Sequence, residues 1–281
     1  MKTLSVLKKD LEFNKDLFSL LEVLKTIAVS QYRILEQKLK SFEKFQPIAE
    51  SFFEFMDFDK VDHYLLNPKN DRQVVVAITS DSGFLGGLNR QVINSAINEL
   101  SAVPGRLIVV GERGKTYMRE TPIPFVAFPG IGDEDKLAQA FQLRNYIAEK
   151  LVEDSIGKLK VIYPKPISFT VQKVEVVSIL PYKKSQNMAQ GLQGEVILES
   201  SLGDLLEYLT YLLIGHKLYE LFGLSKLAEF AARFVHLEES THKLKEMDSK
   251  MKLEYFRVRH ELIDRNMREL FSARLLFTSK H

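Results

Sequence analysis

Two stretches of this chain repeat apolar residues in alternating steps of three and four, and what that spacing builds is too long for a compact core of ordinary size. The first runs through Leu4, Leu7, Leu11, Phe18, Leu21, Ala28, Tyr32, Leu35, Leu39, Phe42, Ala49 and Phe53, with Asn14, Lys25 and Gln46 as polar interruptions in the same frame. The second runs through Phe230, Phe234, Leu237, Thr241, Leu244, Met251, Tyr255, Val258 and Leu262. An α-helix turns once in about 3.6 residues, so these steps hold the side chains on one narrow stripe, the seam of a coiled coil. Residues 224–279 contain neither proline nor glycine. At about 1.5 Å per residue they make a rod roughly 80 Å long. The two ends are therefore expected to be long helices that pair with each other, with Pro47 kinking the first or starting a new segment.

Between them the pattern changes at the turn "NPKNDR" (67–72). Strands are predicted at 74–79, 106–110, 124–128, 159–163, 169–180 and 195–198, and helices at 88–101, 113–119 and 133–154. Alternation of strand and helix implies a mostly parallel sheet with helices on its faces, and the long 169–180 run an antiparallel edge pair. Helix returns after "SLGD" with Ser201 as its N-cap. The expected fold is thus α/β plus long helices: an antiparallel coiled coil of the N- and C-terminal helices with an inserted Rossmann-like α/β domain. Its parts are residues 1–66, 67–200 and 201–281.

The composition narrows the chemistry. A formal net charge of +2 over 281 residues gives no strong field for nucleic acid, and the absence of cysteine removes disulfides, thiolate metal sites and thiol catalysis. The N-terminus scatters charge through its apolar positions, unlike a signal peptide. The greasiest window, 205–224, is broken by Glu207, His216, Lys217 and Glu220, so no membrane span and a soluble chain are expected.

The stretch "SDSGFLGGLN" (80–89) follows a buried-strand pattern and precedes a helix, the place where many proteins cradle phosphate. A Walker A loop needs Lys-Ser/Thr after its last glycine, but Leu88-Asn89 follows Gly87; the spacing of Gly83, Gly86 and Gly87 is not G-x-G-x-x-G either. Asp81, Gly83, Gly86 and Gly87 are therefore read as a structural turn. His236 and His242 do not share a helix face, "HELID" (260–264) lacks the second histidine of a zinc motif, and no nucleophile–base cluster is visible. No catalytic, cofactor-binding or metal-binding residue is expected. Arg257, Arg259, Arg265 and Arg268 allow two readings, a solvated helix face or contacts with an acidic partner.

These residues carry a resemblance. Ser80, Asp81, Gly83, Gly86, Gly87, Leu88 and Asn89 match a loop of the gamma subunit of F-type ATP synthases. "YPKPISFTVQKVEVVSILP" (163–181) resembles that family's closing strand pair. "EFAARFVHLEEST" (229–241) keeps its Glu229, Ala231, Ala232 and Arg233, and "YFRVRHELI" (255–263) its Tyr255, Arg257, Arg259 and Ile263. "TIAVSQYR" (26–33) is similar to a stretch of its first helix. The chain departs from the pattern at Ser82, Leu85, His260, Asp264 and Asn266, and "FSLLEVLKT" (18–26) replaces the family's N-terminal motif, which suggests a divergent branch.

The resemblance implies a non-catalytic rotor shaft, the central stalk. It would couple ATP synthesis or hydrolysis in a catalytic head to translocation of protons or sodium ions by a membrane ring. The implied partners are the catalytic and non-catalytic head subunits, an epsilon-type subunit and the membrane c-ring. The implied location is peripheral, on the cytoplasmic face of a bacterial inner membrane. Glu229, Arg233, Arg257, Arg259 and His260 are the implied partner contacts. Two rivals are a coiled-coil adaptor derived from the same family and a phosphate-binding α/β enzyme with helical arms. The missing lysine and missing acid/base clusters disfavour the enzyme.

Overall fold

The computed structural model describes residues 3–39, 63, 65–68, 70, 72–132, 135–154, 156–181 and 200–278, the side chains of 275–278 excepted. In order, the elements are α1 (Leu4–Leu39), β1 (Gln73–Ile78), α2 (Leu88–Ala102), β2 (Gly105–Val110), α3 (Glu112–Met118), β3 (Phe125–Phe128), α4 (Lys136–Glu153), β4 (Leu159–Pro166), β5 (Gln172–Leu180) and α5 (Leu202–Thr278). The expected strand at 195–198 and the Pro47 break, with Phe42, Ala49 and Phe53, lie outside the described residues. The chain divides into two compact units, one of Met1–Ile27 with Val235–His281, the other of Ala28–Phe234.

In the larger unit the five strands run in the order β3-β2-β1-β4-β5. β1 pairs in parallel with both β2 and β4, β2 in parallel with β3, and β4 antiparallel with β5. Every residue of β1 is buried, as a central strand covered on both faces requires. Alternate side chains serve opposite cores. Val74, Val76 and Ile78 join Leu143 and Ile147 of α4 and Ile214, Leu218 and Phe222 of α5; Val75 and Ala77 join Val92 and Ile93 of α2 and Met118 of α3. The sheet is thus Rossmann-like, with the start of α5 as part of its cover. β5 begins at Gln172, three residues later than predicted, because Ile167 N–H donates to the Val171 carbonyl (3.0 Å) and closes residues 167–171 into a turn.

α5 starts where Ser201 predicts, with Asp204 N–H donating to Ser201 Oγ (3.1 Å), and continues unbroken for 77 residues. Within the larger unit its Leu227 and Phe230 enclose Leu35 of α1. In the smaller unit Leu21 packs on Leu237 and Leu244, Lys25 Nζ meets Glu238 (2.8 Å) and Lys245 lies over the Phe18 ring. Residues earlier in α1 meet residues later in α5, so the pair is antiparallel.

The α1 seam holds at every predicted position from Leu4 to Leu39, all buried or half-buried. Asn14 shares the buried stripe of Leu7, Leu21, Ala28 and Leu35, and its Nδ2 has no hydrogen-bond partner. A polar residue at such a position costs stability and favours one register over others. On α5 the seam ends sooner than predicted, and Leu262 is exposed. The register gives the reason: Leu4 lies 21 residues before Lys25 and falls opposite Arg259, 21 residues after Glu238. Leu262 lies past the described start of α1.

Leu237, with no exposed surface, and Leu262, 45% exposed, separate these two regimes. Leu237→Ala is expected to cost about 2–5 kcal/mol, whereas Leu262→Ala stays within about 0.5 kcal/mol of the parent. Urea unfolding of both variants measures the difference.

Candidate functional site

The glycine-rich loop after β1 is a joint whose polar groups point into the fold. Asn89, buried in the first turn of α2, accepts from Ser80 N–H (3.1 Å) through Oδ1 and donates to Ser80 Oγ (2.8 Å) through Nδ2. Ser80 Oγ in turn donates to the Ser82 carbonyl (2.8 Å). Thr79 Oγ1 donates to the Val110 carbonyl (2.6 Å) and accepts from Gly114 N–H (3.0 Å), which ties β1 to α3. Asp81 accepts from Glu112 N–H (2.9 Å) at the start of α3, and a side chain on Gly130 would overlap its carboxylate. Gly83 lies under the Arg113 guanidinium, and Gly86 takes φ +58°, a left-handed conformation that glycine adopts without steric cost. Gly87 meets nothing closer than Gln91, so close approach does not explain the glycine there.

On its other side the loop is apolar. Leu85 and Leu88 pack against Ala232 of α5 and Val174 of β5. The loop thus joins the sheet to α5, with Ser80, Thr79 and Asn89 side chains hydrogen-bonded inside the fold. Phe84, not singled out by sequence reasoning, stands beside it at φ +62° and is exposed. Its left-handed backbone, uncommon for a bulky residue, has no sequence signal.

A second joint lies between α4 and α5. Arg144 is buried, with its guanidinium 4.3 Å from the Phe141 ring centroid and 3.7 Å from that of Tyr211. Its Nη2 donates to Tyr211 Oη (2.7 Å) and to Asn145 Oδ1 (3.1 Å). Burial pushes the His216 imidazole below its ordinary pKa, and the Arg144 charge adds to this. A solvent-open cavity of about 380 Å³ beside this joint is lined by Leu151, Tyr208, Tyr211, Asp204 and Glu207 among others. Among the described residues no group of three or more His, Asp or Glu side chains is placed to hold a metal ion.

The five residues read as partner contacts form two groups, 24 positions apart along α5. Arg233 Nη2 lies 2.6 Å from Glu229 Oε1, and Lys226 Nζ lies 3.2 Å from Glu229 Oε2, so this carboxylate is held by two cations. The second group is exposed: Arg257 Nε pairs with Glu261 (3.2 Å) and His260 Nδ1 contacts the Phe256 carbonyl (2.8 Å). Arg265 likewise pairs with Glu269 (3.0 Å), while Arg259 has no acceptor among the described residues. Around it Leu262, Ile263, Met267, Leu270 and Phe271 are all exposed.

The family model described as ATP synthase matches residues 3–274. The chain is similar to proteins named ATP synthase gamma chain, being 27% identical to that of Clostridium acetobutylicum over 259 residues, 87% of each chain. It is 24% identical to that of Mycoplasmopsis synoviae over 260 residues, 88% of this chain and 89% of the relative. Among solved structures, its fold resembles a chain of the Euglena gracilis mitochondrial ATP synthase OSCP/F1/c-ring assembly (TM-score 0.73, 16% identity, 96% of this chain and 93% of that one). It also resembles one from the Tetrahymena thermophila mitochondrial ATP synthase central stalk/c-ring (TM-score 0.62, 18% identity, 79% and 99%).

The geometry yields two expected outcomes. Calorimetric titration of the purified chain with magnesium-ATP should show no saturable binding in the micromolar range, since Leu88-Asn89 stands in place of Lys-Ser/Thr and Asn89 is engaged with Ser80. For His216 the folded pKa is below the ordinary 6.5, so the unfolded chain binds the proton more readily. Its contribution to stability is then full above about pH 6.5 and declines as pH falls toward the lowered folded value. Scanning calorimetry at pH 7.5 and 5.5 should show a smaller loss of Tm for His216→Gln than for the parent.

Proposed function

Because the chain belongs to the ATP synthase family, we propose that it works as the gamma-type rotor shaft of an F-type ATP synthase. In this reading it couples ATP turnover in a catalytic head to proton or sodium-ion passage through a membrane ring, and ATP is held by other subunits. The observation that carries it is the end of α5. From Arg259 to Arg274 every residue is exposed, yet the segment bears Leu262, Ile263, Met267, Leu270 and Phe271. A single helix that presents large apolar side chains without a partner helix is covered by something else when it functions. In the smaller unit α1 adds an outward stripe at seven-residue spacing, Val6, Phe13, Leu20 and Ile27, which is more apolar than the buried stripe of Leu7, Asn14, Leu21 and Ala28 beside it.

These surfaces suit the interior of a head that surrounds the helices. Arg259, with no acceptor among the described residues, is the contact we assign to a carboxylate of a catalytic subunit, flanked by Arg257 and His260. Glu229 braces Arg233 for a second contact. The α/β domain then meets the membrane ring and an epsilon-type subunit. No helix among the described residues is long and apolar enough to cross a membrane. That is compatible with a peripheral place in the complex, which we assign to the cytoplasmic face of a bacterial inner membrane.

Arg259→Ala is the test. An exposed charge contributes only about 0–1 kcal/mol to folding, whereas truncating one partner of a buried interfacial ion pair costs about 2–5 kcal/mol. The expected result is impaired ATP-driven ion pumping by the reconstituted complex, with the Tm of the free chain unchanged. Normal pumping would return Arg259 to a solvated helix face.

A further inference from the structure

The turn between β4 and β5 presents one aromatic ring to both long helices. Val171 N–H donates to Ser168 Oγ (3.1 Å) and its carbonyl accepts from Ile167 and Ser168, while Gln172 Nε2 donates to the Phe169 carbonyl (3.2 Å). These hydrogen bonds close the turn on itself. At its tip the Phe169 ring lies 4.8 Å from Tyr32 of α1, edge to face at 80°, and 4.8 Å from Phe234 of α5, tilted by 44°. Both separations are within the range of favourable aromatic pairs. Burial raises the pKa of the Tyr32 hydroxyl, with Glu36 adding to it, as expected where the ring is covered. The neighbours Ile167 and Val171 are exposed, so Phe169 alone of the turn's three large apolar residues is committed inward.

The placement has a mechanical meaning. α5 is held by the sheet's own core through Ile214, Leu218 and Phe222 and by Leu85 and Leu88 of the glycine loop, whereas among the described residues the Leu35 cluster is made of α1 and α5 side chains. Phe169 is therefore where a ring of the α/β domain grips α1, and it grips α5 with the same ring. We propose that Phe169 is a torque clasp, a positioning residue through which the α/β domain holds Tyr32 and Phe234, and with them the segments of α1 and α5 that belong to the larger unit. The proposal rests on the rotor reading above. A ring wedged between two helices resists rotation of either against the hairpin; an alanine there leaves α1 free to lag.

Each ring contact is worth about two- to tenfold in the equilibrium between held and released turn. Phe169→Ala should therefore speed amide exchange at Ile167 and Val171 by at least that factor in the free chain. In the complex reconstituted into vesicles it should lower the ratio of ions pumped to ATP hydrolysed, and Phe169→Tyr, which keeps the ring, should restore it. Phe169→Leu keeps apolar bulk without a ring, and it carries the test if the alanine variant does not fold. Val92→Ala, deep in the other face of the sheet, serves as the control for lost stability and should leave the ratio unchanged. A normal ratio for folded Phe169→Ala or Phe169→Leu overturns the clasp, as does an equal fall for Val92→Ala. A parent chain that supports no pumping at all overturns the rotor reading and the clasp with it, so the two failures are told apart.

Discussion

A helix of 77 residues cannot bury one face against a single small core, and α5 meets this by changing partner along its length. Its first third is part of the α/β domain, where Ile214, Leu218, Leu221 and Phe222 cover the sheet beside α4. Farther on, α1 takes over, first around Leu227 and Phe230 and then around Leu237 and Leu244. Most of a helix's stability in a protein comes from such packing and not from intrinsic propensity. Past the start of α1 at Leu4, the described residues leave the end of α5 exposed.

The two joints that hold α5 to the α/β domain use different physics. At the glycine loop a closed set of hydrogen bonds among Ser80, Ser82 and Asn89 fixes the backbone, and Leu85 and Leu88 make the contact. At Arg144 a guanidinium is stacked on Phe141 and Tyr211 and hydrogen-bonded to neutral groups, an arrangement suited to a weakly hydrated planar cation. Asn14 adds a third kind of constraint in the smaller unit. Its Nδ2 goes without a hydrogen-bond partner in the buried stripe, a cost that favours one alignment of two otherwise repetitive helices.

Local pattern was sufficient for most of the described elements and for the side of α1 that turns inward. The heptad of α1 needs only the 3.6-residue turn, and the continuous apolar run of β1 needs only burial on two faces, so both are legible without a structure. The loop at 80–89 was legible as a turn between strand and helix, from its glycines and its place after an apolar run. Leu262 was misread for a physical reason: periodicity tells which way a side chain faces on its own helix, not whether the partner helix extends that far. The start of β5 was misread because hairpin closure at Ile167 and Val171 is a backbone event that apolar spacing does not report.

What the sequence determined by itself was therefore the set of parts: two seamed helices, an alternating α/β insert, a glycine-rich turn and a helix end rich in arginine. Tertiary structure decided which of these parts touch. Tyr32, Phe169 and Phe234 are separated by 137 and 65 positions in the chain and meet in one aromatic cluster. Arg144 and Tyr211 stack across 67. Spacing along a helix or strand is a local property, fixed by a few backbone angles. Contacts between distant segments are set by the closing of the whole chain around its cores, and only the folded structure records them.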